Sequence, residues 1–251
     1  MASSAVHFRA HFPPPSYTVG LARTEQDLIR CQQLRHEVSL EAGISTPTGD
    51  TIRDHRHYGT DDRHIVVTSN RDAKPVATAR LSIESGKNGP SMFQCKNQFR
   101  IVPISTGPGR GMELGRICIH RDYRNIKVIN TLWQGFASLI VIHKIDYVFT
   151  TVDIACKDDG EYVRMVSRHL SQHYAAPPSW RAVPNSPLPG GLQQKNVSVV
   201  LPSMLKTYLR YGAVVCGEPC WNAPARIATF LLLLERNAIH KRHYKALAEH
   251  I

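Results

Sequence analysis

The stretch GMELGRICIHRDYRN, residues 111–125, decides how this chain is read. MELGRICIH (112–120) has the composition of a strand, and a basic turn after it opens a helix from about Asn125 to His143. In that helix Val128, Ile129, Leu132, Trp133, Phe136, Leu139 and Ile140 recur at helical spacing and make one broad apolar face. DYVFTTVDI (146–154) is the next strand. Two strands flanking a helix predict a parallel βαβ unit with a right-handed crossover. Strict alternation puts Glu113 and Arg116 on opposite faces, but Gly115 between them permits a bulge that re-aims one side chain. A strand splayed from its parallel neighbour opens a cleft for a linear ligand. Glu113 is then a candidate general base for an amine nucleophile, directly or through water. An ion pair in which Glu113 and Arg116 merely satisfy each other at a sheet end fits the spacing equally well.

Outward from this unit, TVGLA (18–22) is a short strand, and Thr24 with Asp27 forms a weak capping box. Leu28, Cys31, Leu34, Val38 and Ala42 then predict an amphipathic helix that Gly43 stops. HIVVT (64–68) and PVATARLSI (75–83) read as a hairpin. In its second strand Ala77, Ala79, Leu81 and Ile83 share one face and Val76, Thr78, Arg80 and Ser82 the other. Residues 84–111 are a long connection with a short helix near MFQCKNQF. A helix is expected near 160–172, another at 202–213, a buried strand at ATFLLLL (228–234) and a terminal helix in NAIHKRHYKALAEHI. The fold class is therefore α/β with a mixed sheet, antiparallel early and parallel in the middle. Residues 1–16 read as a disordered arm and 17–251 as one domain, with 157–195 a loop-rich insertion or lid.

The 251 residues carry 31 Lys+Arg against 20 Asp+Glu, a formal charge of +11, which favours anionic partners without choosing among them. No apolar run reaches the ~20 residues of a membrane span, and no signal-peptide core is visible. A cytoplasmic protein is expected, with peripheral contact at an anionic inner leaflet left open. Six scattered cysteines do not suggest a disulfide framework, and Cys216 with Cys220 lacks the ligands of a zinc site, so no metal is expected. His55, His57 and His64 read as exposed loop histidines. Arg121, Arg124 and Lys127 sit at a helix N-terminus, where anions are favoured, although a solvated basic turn explains them alone.

ELGRICIHRDYRN followed by INTLWQGFASLIV resembles the core signature of the ornithine-lipid N-acyltransferases, the hemolysin-like branch of the GNAT superfamily. LRHEV (34–38), VATARL (76–81) and LPSMLKTYLRYGA (201–213) are similar to three further segments of that family, in order. N-acyl amino acid synthases and acyl-homoserine-lactone autoinducer synthases are more distant relatives with a similar layout.

The resemblance implies a GNAT-like sheet with splayed central parallel strands. It implies transfer of a (3-hydroxy)fatty acyl group from acyl carrier protein to the α-amine of an amino acid, most often ornithine. It places the family's glutamate on Glu113 and its arginines on Arg116, Arg35, Arg80 and Arg124, so catalysis is expected of Glu113 and Arg116 and acceptor binding of Arg35, Arg80, Asp54 and His57, while the basic turn of Arg121, Arg124 and Lys127 is the expected donor contact. Where the related synthases have acidic residues in D-x-x-D spacing, this chain has Asp54 and His57, with Asp61 and Asp62 further on. RNIKVI (124–129) lacks the glycines of a CoA pyrophosphate loop, so an acidic acyl carrier protein is the expected donor, acyl-CoA less so, and no cofactor is expected. The last strand region, CWNAPARIATF (220–230), has no carboxylate for a cationic acceptor such as ornithine. Two other readings stand beside this one: an autoinducer-type or other N-acyl amino acid synthase, and a non-catalytic basic module binding nucleic acid or membrane.

Overall fold

A computed structural model describes residues 16–41, 62–84, 93–101, 109–156, 158, 160–190 and 199–238. The described elements are, in order, β1 (Tyr17–Leu21), α1 (Glu25–Glu41), β2 (Asp62–Ser69), β3 (Pro75–Ile83), β4 (Phe99–Arg100), β5 (Gly111–Ile119), α2 (Ile126–Ile142) and β6 (Tyr147–Ala155). α3 (Glu161–His173), β7 (Val183–Pro184), α4 (Ser203–Arg210), β8 (Val214–Val215), β9 (Cys220–Asn222) and β10 (Ile227–Glu235) follow. The main sheet has the order β1-β2-β3-β5-β6-β10-β8, with β9 also paired to β10. β5 and β6 run parallel, as the helix between them requires, and their other neighbours are antiparallel.

The Thr24 cap forms as expected: Thr24 Oγ1 accepts from Asp27 N, and Asp27 Oδ2 accepts from Arg23 N and Thr24 N. α2 starts at Asn125, whose Oδ1 accepts from Lys127 N and Val128 N. The helix buries Val128, Leu132, Trp133, Phe136, Leu139 and Ile140 against the sheet, worth on the order of 10 kcal/mol of gross hydrophobic transfer. Gly135 of the LWQG segment lets α2 approach β1, because a Cβ there would lie 2.6 Å from a methyl of Val19.

α2, α3 and α4 contribute to one core on one side of the sheet. On the other side α1 packs over β2, β3 and β5, and Phe93, Cys95 and Phe99 join Phe149, Leu231 and Leu233 in a second cluster. That second layer is made partly by the connection before β5, which folds into a 3-10 turn at Gln94–Asn97 near the expected short helix.

The helix expected near 160–172 forms as α3, and the stretch after it carries a turn at Pro178–Trp180 and β7, which pairs with β4. Two expectations change. β8 and β9 were not expected; they are short pairings to β10, with single bridges from Val215 to Ala175 and from Cys220 to Pro187. His64 is not an exposed loop residue but is 3% exposed within β2. The N-terminal arm before residue 16, the end of the first helix at Ala42 and Gly43, and the terminal helix beyond residue 238 lie outside the described residues.

Candidate active site

β3 supplies the scaffold of the site. Its register places Ser82 between Asp62 and Glu113, and Arg80 between His64 and Gly115. With alternation, Asp62, His64, Thr78, Arg80, Ser82 and Glu113 share one face, the face α1 covers. Arg80 is the centre of this row. Its Nη2 lies 3.2 Å from Glu113 Oε2 and its Nη1 3.9 Å from Asp62 Oδ2, with all three side chains at least 94% buried. Ser82 donates a short hydrogen bond to the other Asp62 oxygen. Two guanidiniums, Arg35 and Arg80, thus balance two carboxylates in a nearly dry layer.

Glu113 does more than pair with Arg80. Its Oε2 also accepts from Gln94 N at 2.7 Å and its Oε1 from Cys95 N at 2.7 Å. It thereby anchors the start of the 3-10 turn from 18 residues further along the chain. Three N–H groups thus hold its two oxygens, and the Cys95 thiol is a further hydrogen-bond partner of the carboxylate. The neighbouring Cys95 thiol has its pKa pushed up by burial and by Glu113. It stays protonated and is a poor nucleophile.

The bulge expected at Gly115 is present one residue later. Between Thr78 and Arg80 of β3 the register with β5 jumps, so Arg116 and Ile117 oppose Ala79. Arg116 itself takes the left-handed conformation, with φ 55°, which costs a non-glycine residue roughly 1–3 kcal/mol and is found where function holds it. Parallel pairing of β5 with β6 runs from Gly111/Tyr147 only to Leu114/Thr150. Beyond that point the two strands part. The mouth of the split is a cleft of about 220 Å³ lined by Arg80, Gln94, Cys95, Asn97, Gln98, Glu113, Leu114, Gly115, Arg116 and Thr151. The bulge therefore brings Glu113 and Arg116 to one cleft that regular alternation would have denied them.

Arg35 does not line this cleft. It is 2% exposed beneath α1, where its Nη2 lies 2.7 Å from His64 Nδ1 and 3.4 Å from Thr78 Oγ1. Arginine only donates, so His64 accepts at Nδ1 and carries its proton on Nε2. Burial first, then the charges of Arg35 and Arg80, depress the His64 pKa from 6.5 to about 3. The folded protein keeps this ring neutral while the unfolded chain protonates it below about pH 6.5, so stability is full above that value and falls as pH drops toward 3. His64 alone should remove about 2 kcal/mol between neutral pH and about pH 5. Urea unfolding of His64→Asn, which retains an acceptor toward Arg35, should show a correspondingly shallower pH dependence; an unchanged slope contradicts this.

The basic turn is exposed but not unengaged. Arg124 Nη2 lies 3.1 Å from Glu41 Oε2, Arg121 Nε 3.9 Å from Glu41 Oε1, and Arg124 Nε donates to Ile119 O. Lys127 and Ile126 project at the surface beside them. Asp54 and His57 lie outside the described residues.

Sequence reasoning gave no site role to Asp62 or His64 and passed over Gln98, Thr151 and Asp153. Asp62 and His64 carried a signal: each is a polar residue on the β2 face that pairs with the polar face of β3. Gln98 and Thr151 carried none, since only the tertiary fold sets the 3-10 segment against β6.

The comparisons agree with this geometry. Residues 34–134 match the family described as Acetyltransferase (GNAT) domain. The chain is 25% identical over 248 residues to the L-ornithine N(alpha)-acyltransferase of Rhodobacter capsulatus, covering 92% of this chain and 94% of that protein. It is 26% identical to the protein of the same name from Rhizobium meliloti, over 89% and 81% of the two chains. In fold it is similar to FeeM, an N-acyl amino acid synthase from uncultured soil microbes, with a TM-score of 0.54 at 8% identity over 94% of this chain and 99% of that one. It is equally similar to BjaI, a CoA-dependent acyl-homoserine lactone synthase, with a TM-score of 0.54 at 11% identity over 93% and 89%. The non-catalytic reading is thereby set aside: residues 34–134 resemble a GNAT domain, relatives named as acyltransferases match along most of the chain, and the sheet splays as in GNAT-like folds, so the protein is an acyltransferase with a GNAT-like fold.

Proposed function

We propose that the protein transfers a fatty acyl group, 3-hydroxylated or plain, from acyl carrier protein to the α-amine of ornithine, the first step of ornithine-lipid synthesis. The observation that carries the reading is the β5–β6 split with Glu113, Arg116 and Thr151 at its mouth, joined to homologues named for the ornithine reaction. The acyl thioester lies along the split. Glu113, directly or through a water, takes the proton of the ammonium, and the amine attacks the thioester carbonyl. The N–C bond forms, the C–S bond breaks, and the carrier thiolate leaves and takes up a proton. Strand β5 past Leu114 has no partner in β6, so its backbone N–H groups on that edge are placed to hold the oxyanion. Arg116 orients the acceptor carboxylate, while Arg80 holds Glu113 and Arg35 holds His64 beneath it.

The donor choice rests on the α2 N-terminus. Two of its N–H groups are taken by Asn125, and the first helical residue is an exposed Ile126, not a glycine that would let a pyrophosphate come close to the backbone. Arg121, Arg124 and Lys127 instead form an exposed basic edge suited to an acidic carrier protein.

The test is incubation with acyl carrier protein or CoA thioesters of one long-chain 3-hydroxy acid and pooled amino acids, read by mass spectrometry. Acyl-ornithine from the carrier-bound donor is the expected product. A preference for the CoA thioester overturns the donor assignment, a different acylated amine overturns the acceptor, and no acylated product overturns the reading.

A further inference from the structure

β6 carries a carboxylate beside the cleft that the mechanism above leaves unused. Phe149, Thr151 and Asp153 alternate onto the cleft-facing side of β6, with Phe149 in the cluster under Phe93 and Thr151 lining the cleft. Asp153 is exposed, one strand period, about 6.6 Å, beyond Thr151.

It is also held in place. Thr229 of β10, 2% exposed and directly across the register from Asp153, donates its hydroxyl to Asp153 Oδ1 at 2.6 Å. Thr229 Oγ1 in turn accepts from Gln98 Nε2 at 3.2 Å, and Gln98 lines the cleft. One carboxylate oxygen is thus fixed by a part-buried relay that reaches back to the site. Among the described residues Asp153 pairs with no arginine or lysine, and both members of its relay are uncharged. The ion pairs of Arg80 in the same sheet go to Asp62 and Glu113, so the Asp153 charge is left for something else.

We infer that Asp153 binds a second, side-chain cation on the acceptor amino acid, and so selects a diamino acid over a neutral one. The inference rests on the amino-acid acylation reading of the same cleft. With the α-amine at Glu113 and the α-carboxylate at Arg116, the acceptor side chain runs past Thr151 along β6 toward Asp153. The carboxylate that CWNAPARIATF lacks on β10 is supplied by the strand beside it.

Ornithine and norvaline share a carbon skeleton and differ by the terminal ammonium, so they are the probes. Calorimetric titration of the full chain should show ornithine binding at least about 10-fold tighter than norvaline, the scale of one hydrogen bond to a charged group. Asp153→Asn, which keeps the hydrogen bond from Thr229, should bring ornithine to the norvaline level and leave norvaline within about twofold. Equal affinities in the unsubstituted protein, or equal weakening of both ligands by Asp153→Asn, overturn the inference. Failure of the proposed function reads differently: the amino acids bind with this preference, yet no donor yields an acylated product.

Discussion

Arg80→Met should be the most damaging single substitution in the protein, lowering unfolding stability by about 3–5 kcal/mol, because it strands charge in a dry layer. Arg80 stands between Glu113 at 3.2 Å and Asp62 at 3.9 Å, both almost fully buried. Methionine fills much of the volume, so lost packing contributes little and the uncompensated carboxylates dominate. The control is Arg80→Met with Asp62→Asn, which removes one stranded charge and should recover part of the loss. Urea unfolding of the two variants checks this. A double variant no more stable than the single one means that the charges are not what Arg80 is there to balance. Activity should fall with the single substitution even where the protein stays folded, because Glu113 then loses one of the two partners that hold its Oε2.

Glu113→Gln should lower kcat by about 10²–10⁴-fold near pH 7, the range of a general base. The amide cannot reproduce the carboxylate's bonds. Both oxygens accept from N–H donors, so the new NH₂ must face one of them, at a cost of about 1–3 kcal/mol in stability. Two effects are therefore superimposed, and pH separates them. Above the pKa of its own ammonium the acceptor arrives as free amine and needs no base. If Glu113 removes the proton, the deficit shrinks steeply toward about pH 10. If it serves only to hold the 3-10 turn, the deficit stays constant with pH. Full activity of the variant near pH 7 contradicts both roles.

Much of the fold was legible because its signals are local. The Thr24–Asp27 cap, the broad apolar face of α2 and the alternation of β3 are each set by residues within a few positions of one another. The strand–helix–strand order of residues 111–155 then leaves β5 and β6 no pairing but a parallel one. Arg80 could be placed on the polar face of β3 from alternation alone, and the bulge was anticipated from Gly115.

The site itself was decided by register and layer, which local sequence does not encode. Arg116, rather than Gly115, takes the positive φ, because the jump against Ala79 falls one residue later than glycine's freedom suggests. His64 reads like any loop histidine until pairing sets it opposite Arg80 and α1 lays Arg35 over it. Asp153 reads as one polar residue in a buried strand until β10 puts Thr229 across from it. The sequence by itself determined that a strand carrying ELGR pairs in parallel after a basic turn, since period and crossover follow from backbone geometry. Only the tertiary structure decided which carboxylates are buried against arginines and which one faces the cleft, since that depends on side chains brought together from as many as 131 residues apart.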